Sequence, residues 1–370
     1  MPRGMGIWFL FLLLVLVSVI GIDSPGRLVG FVYRALDYLS VTVVFVYVYN
    51  ARASLTPQYL LGLVTLFWVW TVVGGYASVF FPTFSFRTPL GLLLPGSLRN
   101  NEVVGEMVVR RLTQYNPDSW IVLEPRPSAP FLYTNQWGNV YSLCLPMVIA
   151  YMSLIRRGAL FWTLCATIVA SLIPALLTLN RGMFIGIGIA SVYVFWRCAL
   201  SGRWRIVGGL TASGVVVAIV AQAVGVVDRL AFRVESSSST EDRADLYGET
   251  LRRSLESPLF GYGGPRPSMI EGAPSAGTQG HLWAVMFSHG FPALLCFIAA
   301  LLWLFLSTYR AKGLEGLLLH TVCLVILVEM LYYGVLPNGL ILAFVAAALA
   351  LREREYVILP DVNSTRYAST

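Results

Sequence analysis

Charge is what this 370-residue chain has least of. Only 12% of its residues are Asp, Glu, Lys or Arg, about half the proportion usual in soluble globular domains. Lysine is nearly missing: Lys312 is the only one, and the other basic residues are Arg. The five cysteines (Cys144, Cys165, Cys198, Cys296 and Cys323) all fall in apolar runs, and none stands in a CxxC pair or a Cys/His cluster. That excludes a disulfide framework or a zinc module and leaves them as small core residues. Asp-x-Asp, P-loop and HExxH motifs are missing as well, so nucleotide or metal chemistry has no local basis and no cofactor is expected. The charge deficit also rules out a disordered protein, a coiled coil and an ordinary cytosolic enzyme.

Apolar sequence fills the space. The chain is 57% hydrophobic with a mean hydropathy of +0.71. Runs of about 20 apolar residues mark membrane-crossing helices, and ten candidate runs are found at roughly 7–22, 28–49, 59–80, 139–155, 159–179, 182–200, 206–227, 281–308, 314–335 and 337–351. The first is followed by Asp23-Ser-Pro-Gly26 rather than a small-residue cleavage site, and so reads as a retained helix. The expectation is an all-α polytopic membrane protein, a single integral membrane domain over residues 1–370.

With the N-terminus inside, the inside segments hold twelve basic residues (from Arg3 and Arg52 to Arg310, Lys312 and Arg366) against four acids (Glu315, Glu353, Glu355 and Asp361). This is the asymmetry that orients membrane proteins. It accounts for the formal +7 charge without nucleic acid. Both termini are expected in the cytoplasm, with two long extracytoplasmic loops at 81–138 and 228–280. In the first loop, Asn101–Tyr115 places Val104, Met107, Val108 and Leu112 at helical spacing, which predicts an amphipathic helix on the membrane surface carrying Arg110 and Arg111. In the second, Glu235–Thr240 reads as flexible, Asp242–Ser257 as a helix, and Gly261-Tyr-Gly-Gly264 as a glycine turn after Pro258.

Polar groups at membrane depth are expensive, and each is a candidate functional residue. Arg181 follows Asn180 on a tight turn between two apolar runs, at the outer rim, where its guanidinium suits a phosphate. Arg reaching for lipid headgroups is the plainer reading of the same position. Arg243 opens the second-loop helix, and Arg252 and Arg253 follow two to three turns later, at spacings that also balance nearby acids. His281 stands at the mouth of the eighth run, where a neutral imidazole can take a proton from a hydroxyl, although a single His at a helix start is often only an interface residue. His289 and His320 read as buried. Arg34 and Asp37, one turn apart, read as an internal ion pair. Glu329 has no local partner and is expected to meet an outer-rim Arg.

Three segments in order resemble the O-antigen ligase and O-antigen polymerase superfamily of membrane glycosyltransferases. Pro130-Phe-Leu-Tyr-Thr-Asn135-Gln-Trp-Gly138, ahead of Leu145-Pro146, resembles its F-x-x-x-N helix opening. Leu179-Asn180-Arg181-Gly182 resembles its S-R-G or N-R-G turn. Asp242-Arg243-x-x-x-Tyr247 followed by Ser257-Pro-Leu-Phe-Gly-Tyr-Gly263 resembles its R-x-x-x-W…P-L-x-G-x-G run. The resemblance implies that Arg181 and Arg243 hold a donor diphosphate and that a catalytic His follows the glycine turn. The family reads His-Asn about eleven residues before a helix-interrupting Gly. Counting back from Gly290 reaches Gln279, and His281 lies two further on, so either residue is a candidate for that position.

The implied activity is transfer or polymerisation of glycan from a polyprenyl-diphosphate-linked donor onto a glycan, lipid or wall acceptor. It would run without metal, by direct displacement with inversion, at the extracytoplasmic face of the cytoplasmic membrane. His281 is the candidate base, with Arg110, Arg111, Asn135, Arg252, Gln279 and Glu329 as secondary candidates. A transporter or flippase for a lipid-linked or anionic substrate, and a purely structural assembly subunit, are the rivals.

Overall fold

A computed structural model describes residues 2, 4–96, 108–115, 125–235, 239–270 and 273–356; within these, the side chains of 90, 233–235, 239–243 and 353–356 are outside the description. The protein is a polytopic, mostly helical membrane protein. Its apolar runs become α1 (Met5–Val17, continued by a 3-10 turn over Ser18–Gly21), α2 (Pro25–Asn50), α3 (Pro57–Phe80), α4 (Thr134–Leu154), α5 (Ala159–Leu177), α6 (Arg181–Leu200) and α7 (Trp204–Ala223). Two amphipathic helices, α8 (Val226–Glu235) and α9 (Ser239–Ser254), belong to the second loop, and α10 (His281–Thr308), α11 (Gly313–Glu329) and α12 (Asn338–Tyr356) complete the bundle. Helices lie at all ten expected runs. Among the described residues seven (α2 to α7 and α10) are long and apolar enough to cross a membrane. Of the others, α1 and the apolar part of α12 (Asn338–Arg352) are shorter, and α11 has 17 residues, roughly 25 Å of rise.

Burial separates the centre from the lipid side. Among the seven membrane-length helices α4 is the most enclosed, and it packs against α3, α6, α11 and α12. Its sequence explains the position, because Gly138, Asn139, Ser142 and Cys144 are small or amide-bearing residues that let neighbours approach closely. Glycines on the facing helices do the same: Gly186 on α6 lies against Glu329, and Gly339 on α12 against Asn139. α7 has no buried residue and turns Val215, Val216, Val217 and Ile219 outward. Such an apolar exterior would make a water-soluble protein aggregate, whereas lipid solvates it.

The first loop departs from expectation. Val109–Arg111 forms strand β2, antiparallel to β1 (Ser85–Arg87), and Thr113–Gln114 forms β3, antiparallel to β4 (Arg126–Pro127). The helical spacing read across Asn101–Tyr115 therefore does not extend to its second half, while 101–107 lie outside the described residues. The competing period is two: Val109 and Arg111 face out, whereas Arg110 turns in and donates to the Pro130 carbonyl at 2.6 Å. In the second loop the expected helix is present. Leu246 and Thr250 are buried, but Leu255, placed on the same face from sequence, is 63% exposed because the helix has ended. Of the segment read as flexible, 236–238 lie outside the described residues.

Candidate functional site

The geometry begins with a broken helix. Gly290 sits inside α10 at φ 82° and ψ 175°, and Pro292 follows it. A regular helix would have the Phe287 and Ser288 carbonyls accept from the amides of residues 291 and 292. Pro292 has no N–H to give, and the Phe291 N–H is redirected to the Pro258 carbonyl at 2.8 Å. The two freed carbonyls accept instead from Tyr262 N–H (3.0 Å) and Gly263 N–H (2.8 Å). The glycine turn of the second loop thus plugs the break. Only Gly fits at 261, where φ is 62° and a Cβ would meet the Phe287 carbonyl oxygen at 2.6 Å.

The plug also reaches α2. Arg27 donates to the carbonyls of Tyr262, Gly264 and Pro265 and pairs with Asp23 at 2.6 Å, and Asp23 also meets Arg266 at 2.9 Å. The hydrogen bond from Arg27 is the main reason the Asp23 carboxyl titrates below its usual range. One further hook closes the loop. Glu249 on α9 accepts from Arg253, the Ser268 hydroxyl and the Met269 N–H. Burial acts to raise this carboxyl, but the three donors together outweigh it and hold it below the ordinary 4.5.

His281 is the first residue of α10 and is buried. Its Nε2 lies 2.9 Å from the Tyr38 hydroxyl on α2, and its Nδ1 has no hydrogen bond among the described residues. Its backbone N–H donates to the Tyr333 carbonyl at 2.7 Å. Tyr333 belongs to the turn after α11 and ties down the Asn180-Arg181-Gly182 turn as well. Its hydroxyl donates to Asn180 Oδ1 at 2.5 Å, while the neighbouring Tyr332 hydroxyl donates to the Gly182 carbonyl at 3.0 Å. Asn180 is buried and also donates to the Thr134 carbonyl at the start of α4, leaving Arg181 exposed at the N-terminus of α6. One short segment, Tyr332–Tyr333, therefore anchors both the turn that carries Arg181 and the helix start that carries His281.

α9 arrives at the same place. Tyr247 stacks on Trp283, two residues after His281, with ring centroids 4.5 Å apart and planes at 17°. Position 243 is one helical turn before Tyr247, about 40° away around the axis at ~100° per residue, whereas position 252 is about 140° away. The Arg243 side chain lies outside the described residues. Arg252 is exposed, and Arg253 is buried in the Glu249 hook and lies over Phe287.

The remaining candidates divide. Arg111 lines an open cleft of about 410 Å³ with Gln114 and Tyr133, beside the opening of α4. Asn135 is half-buried at that opening, and Gln279 is half-buried ahead of α10; neither side chain has a partner among the described residues. Glu329 does not meet an Arg. It is fully buried where α4, α6 and α11 meet, its Oε2 accepting from Asn139 at 2.6 Å and its Oε1 without a hydrogen bond among the described residues. His289 is buried against the Ser18 hydroxyl (2.7 Å), and His320 between Tyr193 and Thr308.

Arg34 and Asp37 form no ion pair. Helical side chains lean toward the N-terminus, so the long Arg34 chain runs away from Asp37, back toward Gly30 and across to the glycine turn. There its Nη1 would lie 2.9 Å from a Cβ placed on Gly264. Arg34 is half-buried, with no hydrogen bond or ion pair among the described residues. Sequence reasoning singled out this cation but paired it with Asp37 and missed its reach to the glycine turn. It also missed Tyr38, one turn further along α2, and the Tyr332–Tyr333 anchor. The pairs Arg34/Tyr38 at i,i+4 and Glu329/Tyr333 at i,i+4 were signals available for both.

The family comparison falls on this geometry. Residues 166–298 match the family model described as O-antigen ligase. The match is to an O-antigen ligase domain, over part of the chain. The domain runs from α5 to the middle of α10 and includes Arg181, Arg243, the glycine turn, Gln279, His281 and Gly290. It marks a glycosyltransferase-type family of surface-polysaccharide assembly that works on lipid-linked glycans. Arg34, Tyr38, Asn139, Glu329 and Tyr333 lie outside the ligase domain and are supplied by helices packed around it. No curated protein matches the chain.

Proposed function

We propose that the protein transfers or polymerises glycan from a polyprenyl-diphosphate donor at the extracytoplasmic rim of the cytoplasmic membrane. Both termini are then cytoplasmic, and the whole chain acts as one membrane domain. The observation that carries the reading is the shared anchor: Arg181 and His281 are presented from the two hydrogen-bonded sides of Tyr332–Tyr333. Arg34 reaches the same quarter beneath the glycine turn, and Arg243 sits one turn from the Tyr247–Trp283 stack.

The chemistry requires two things of the residues. The anomeric carbon–oxygen bond to the donor diphosphate breaks as a bond from the acceptor oxygen forms on the opposite face, inverting the sugar. Negative charge grows on the departing diphosphate, and Arg181, Arg34 and Arg243 neutralise it in a setting where lipid and protein exclude water. The acceptor hydroxyl loses its proton to His281 Nδ1. That requires the tautomer in which Nε2–H donates to Tyr38. Arginines supply the positive charge, so no step calls for a metal ion.

The test is reconstitution. Purified protein in vesicles receives a polyprenyl-diphosphate oligosaccharide and a glycan acceptor. Lengthened or newly linked glycan is the expected product. Movement of the intact donor across the bilayer without transfer would replace the enzyme with a flippase. Arg181→Ala and Arg34→Ala should each slow transfer by about 10²–10³-fold, the usual cost of removing one preorganised charge stabiliser.

A further inference from the structure

We infer that the opposite end of the bundle carries a binding site for the phosphate of an anionic lipid. Arg181 and His281 begin α6 and α10; the second site lies where those helices end. An open cleft of about 350 Å³ is lined there by Arg197, Ser201, Arg203, Lys312, Gly313 and Leu317. Three cations share it, including the only lysine of the chain, and none has a carboxylate within ion-pair distance among the described residues. Glu315, one turn into α11, does not line it.

Arg197 is not a loose surface side chain. The Tyr193 hydroxyl accepts from its Nη1 at 2.7 Å, and its guanidinium lies over the Tyr309 ring at 4.5 Å. Tyr193 is in turn fixed by the buried His320, 2.8 Å away, whose other ring nitrogen meets the Thr308 hydroxyl at 2.8 Å. A chain of packed polar groups thus holds one guanidinium at the cleft wall. Building such a support around an unpaired cation fits a site awaiting an anion. A phosphate offers the oxygens that guanidinium, ammonium and the Ser201 hydroxyl recognise together.

The cleft's surroundings select among phosphates. Trp196, Leu200 and Trp204 are 61%, 70% and 67% exposed beside it. Tryptophan at a span end marks the headgroup level of a membrane, and apolar surface adjoining a cationic cleft matches a molecule with acyl chains next to its phosphate. Free phosphate would satisfy the cations but not this shoulder.

Full-length protein in detergent is titrated with phosphatidylglycerol, phosphatidylcholine and inorganic phosphate, and bound lipid is read by native mass spectrometry. Phosphatidylglycerol should bind preferentially. The double variant Arg203→Ala/Lys312→Ala should weaken it roughly tenfold or more, the scale expected for two juxtamembrane charges. The charge-keeping Arg203→Lys/Lys312→Arg should retain binding, as should Arg310→Ala, which removes a cation at the same end but outside the cleft. Unchanged affinity in the alanine double variant would overturn the site. So would an equal loss in Arg310→Ala, equal binding of phosphatidylcholine, or displacement of phosphatidylglycerol by low millimolar phosphate, which would name a soluble anion as the occupant.

Discussion

His281 has a candidate chemical role only through Tyr38. The imidazole is enclosed with its Nε2 against the Tyr38 hydroxyl, and a base at Nδ1 requires that Nε2–H donate to that hydroxyl. Tyr38→Phe removes that partner and leaves the ring in place. Transfer should fall by about tenfold or more in kcat with donor KM little changed, since no donor contact is lost. An unaltered kcat would detach Tyr38 from the reaction. Residue identities of this kind were partly legible in sequence: Arg181 and His281 stand out as polar groups at span ends. Partnerships were not. The Arg34–Asp37 pair looked sound by spacing, but side-chain length and direction carried Arg34 to Gly264, a contact 230 positions away that no local pattern contains. Glu329 likewise found the Asn139 amide rather than an arginine.

The elements that build the candidate site are those where regular structure is interrupted. Gly290 breaks α10, and the second loop's glycine turn occupies the freed hydrogen-bonding groups. Gly290→Ala forces a left-handed φ on a residue with a Cβ and sets that Cβ 2.5 Å from the Leu259 carbonyl oxygen. Stability should drop by about 1–3 kcal/mol in thermal or denaturant unfolding. A variant as stable as wild type would contradict the plugged-break account. The Glu249 hook makes the same loop sensitive to acid. Its carboxyl is held below 4.5, so its contribution is complete above about pH 4.5 and is lost as pH falls through the depressed value. Proteolysis or hydrogen exchange within 239–270 should accelerate below that range, and Glu249→Gln should be faster already at pH 7 and flatter with pH. A variant with the wild-type profile would remove Glu249 from the hook. The spans and α9 were legible because their periodicity runs for many residues. The first-loop strands were not, since two or three residues of alternation between Val109 and Gln114 compete poorly with a longer apparent helical stripe and depend on partners at 85–87 and 126–127.

At the scale of the whole molecule, apolar helices packed by small residues hold two polar ends apart. The end with Arg181 and His281 is where the ligase domain meets α2, α4 and the α11–α12 turn, and the other end holds Arg197, Arg203 and Lys312. Composition alone made the membrane architecture plain. That Tyr332–Tyr333 bonds to both the Asn180–Gly182 turn and the start of α10 was not readable, because it depends on which helices are neighbours and the pair has no motif to announce it. The most direct test of the account is the rate of glycan transfer from a polyprenyl-diphosphate oligosaccharide, in EDTA, by wild type, Arg181→Ala, His281→Ala and Gln279→Ala. The account predicts transfer undiminished by the chelator. Arg181→Ala should be slowed as stated above, His281→Ala by about 10²–10⁴-fold as for a lost general base, and Gln279→Ala should stay close to wild type. Transfer at the wild-type rate by both Arg181→Ala and His281→Ala would contradict it.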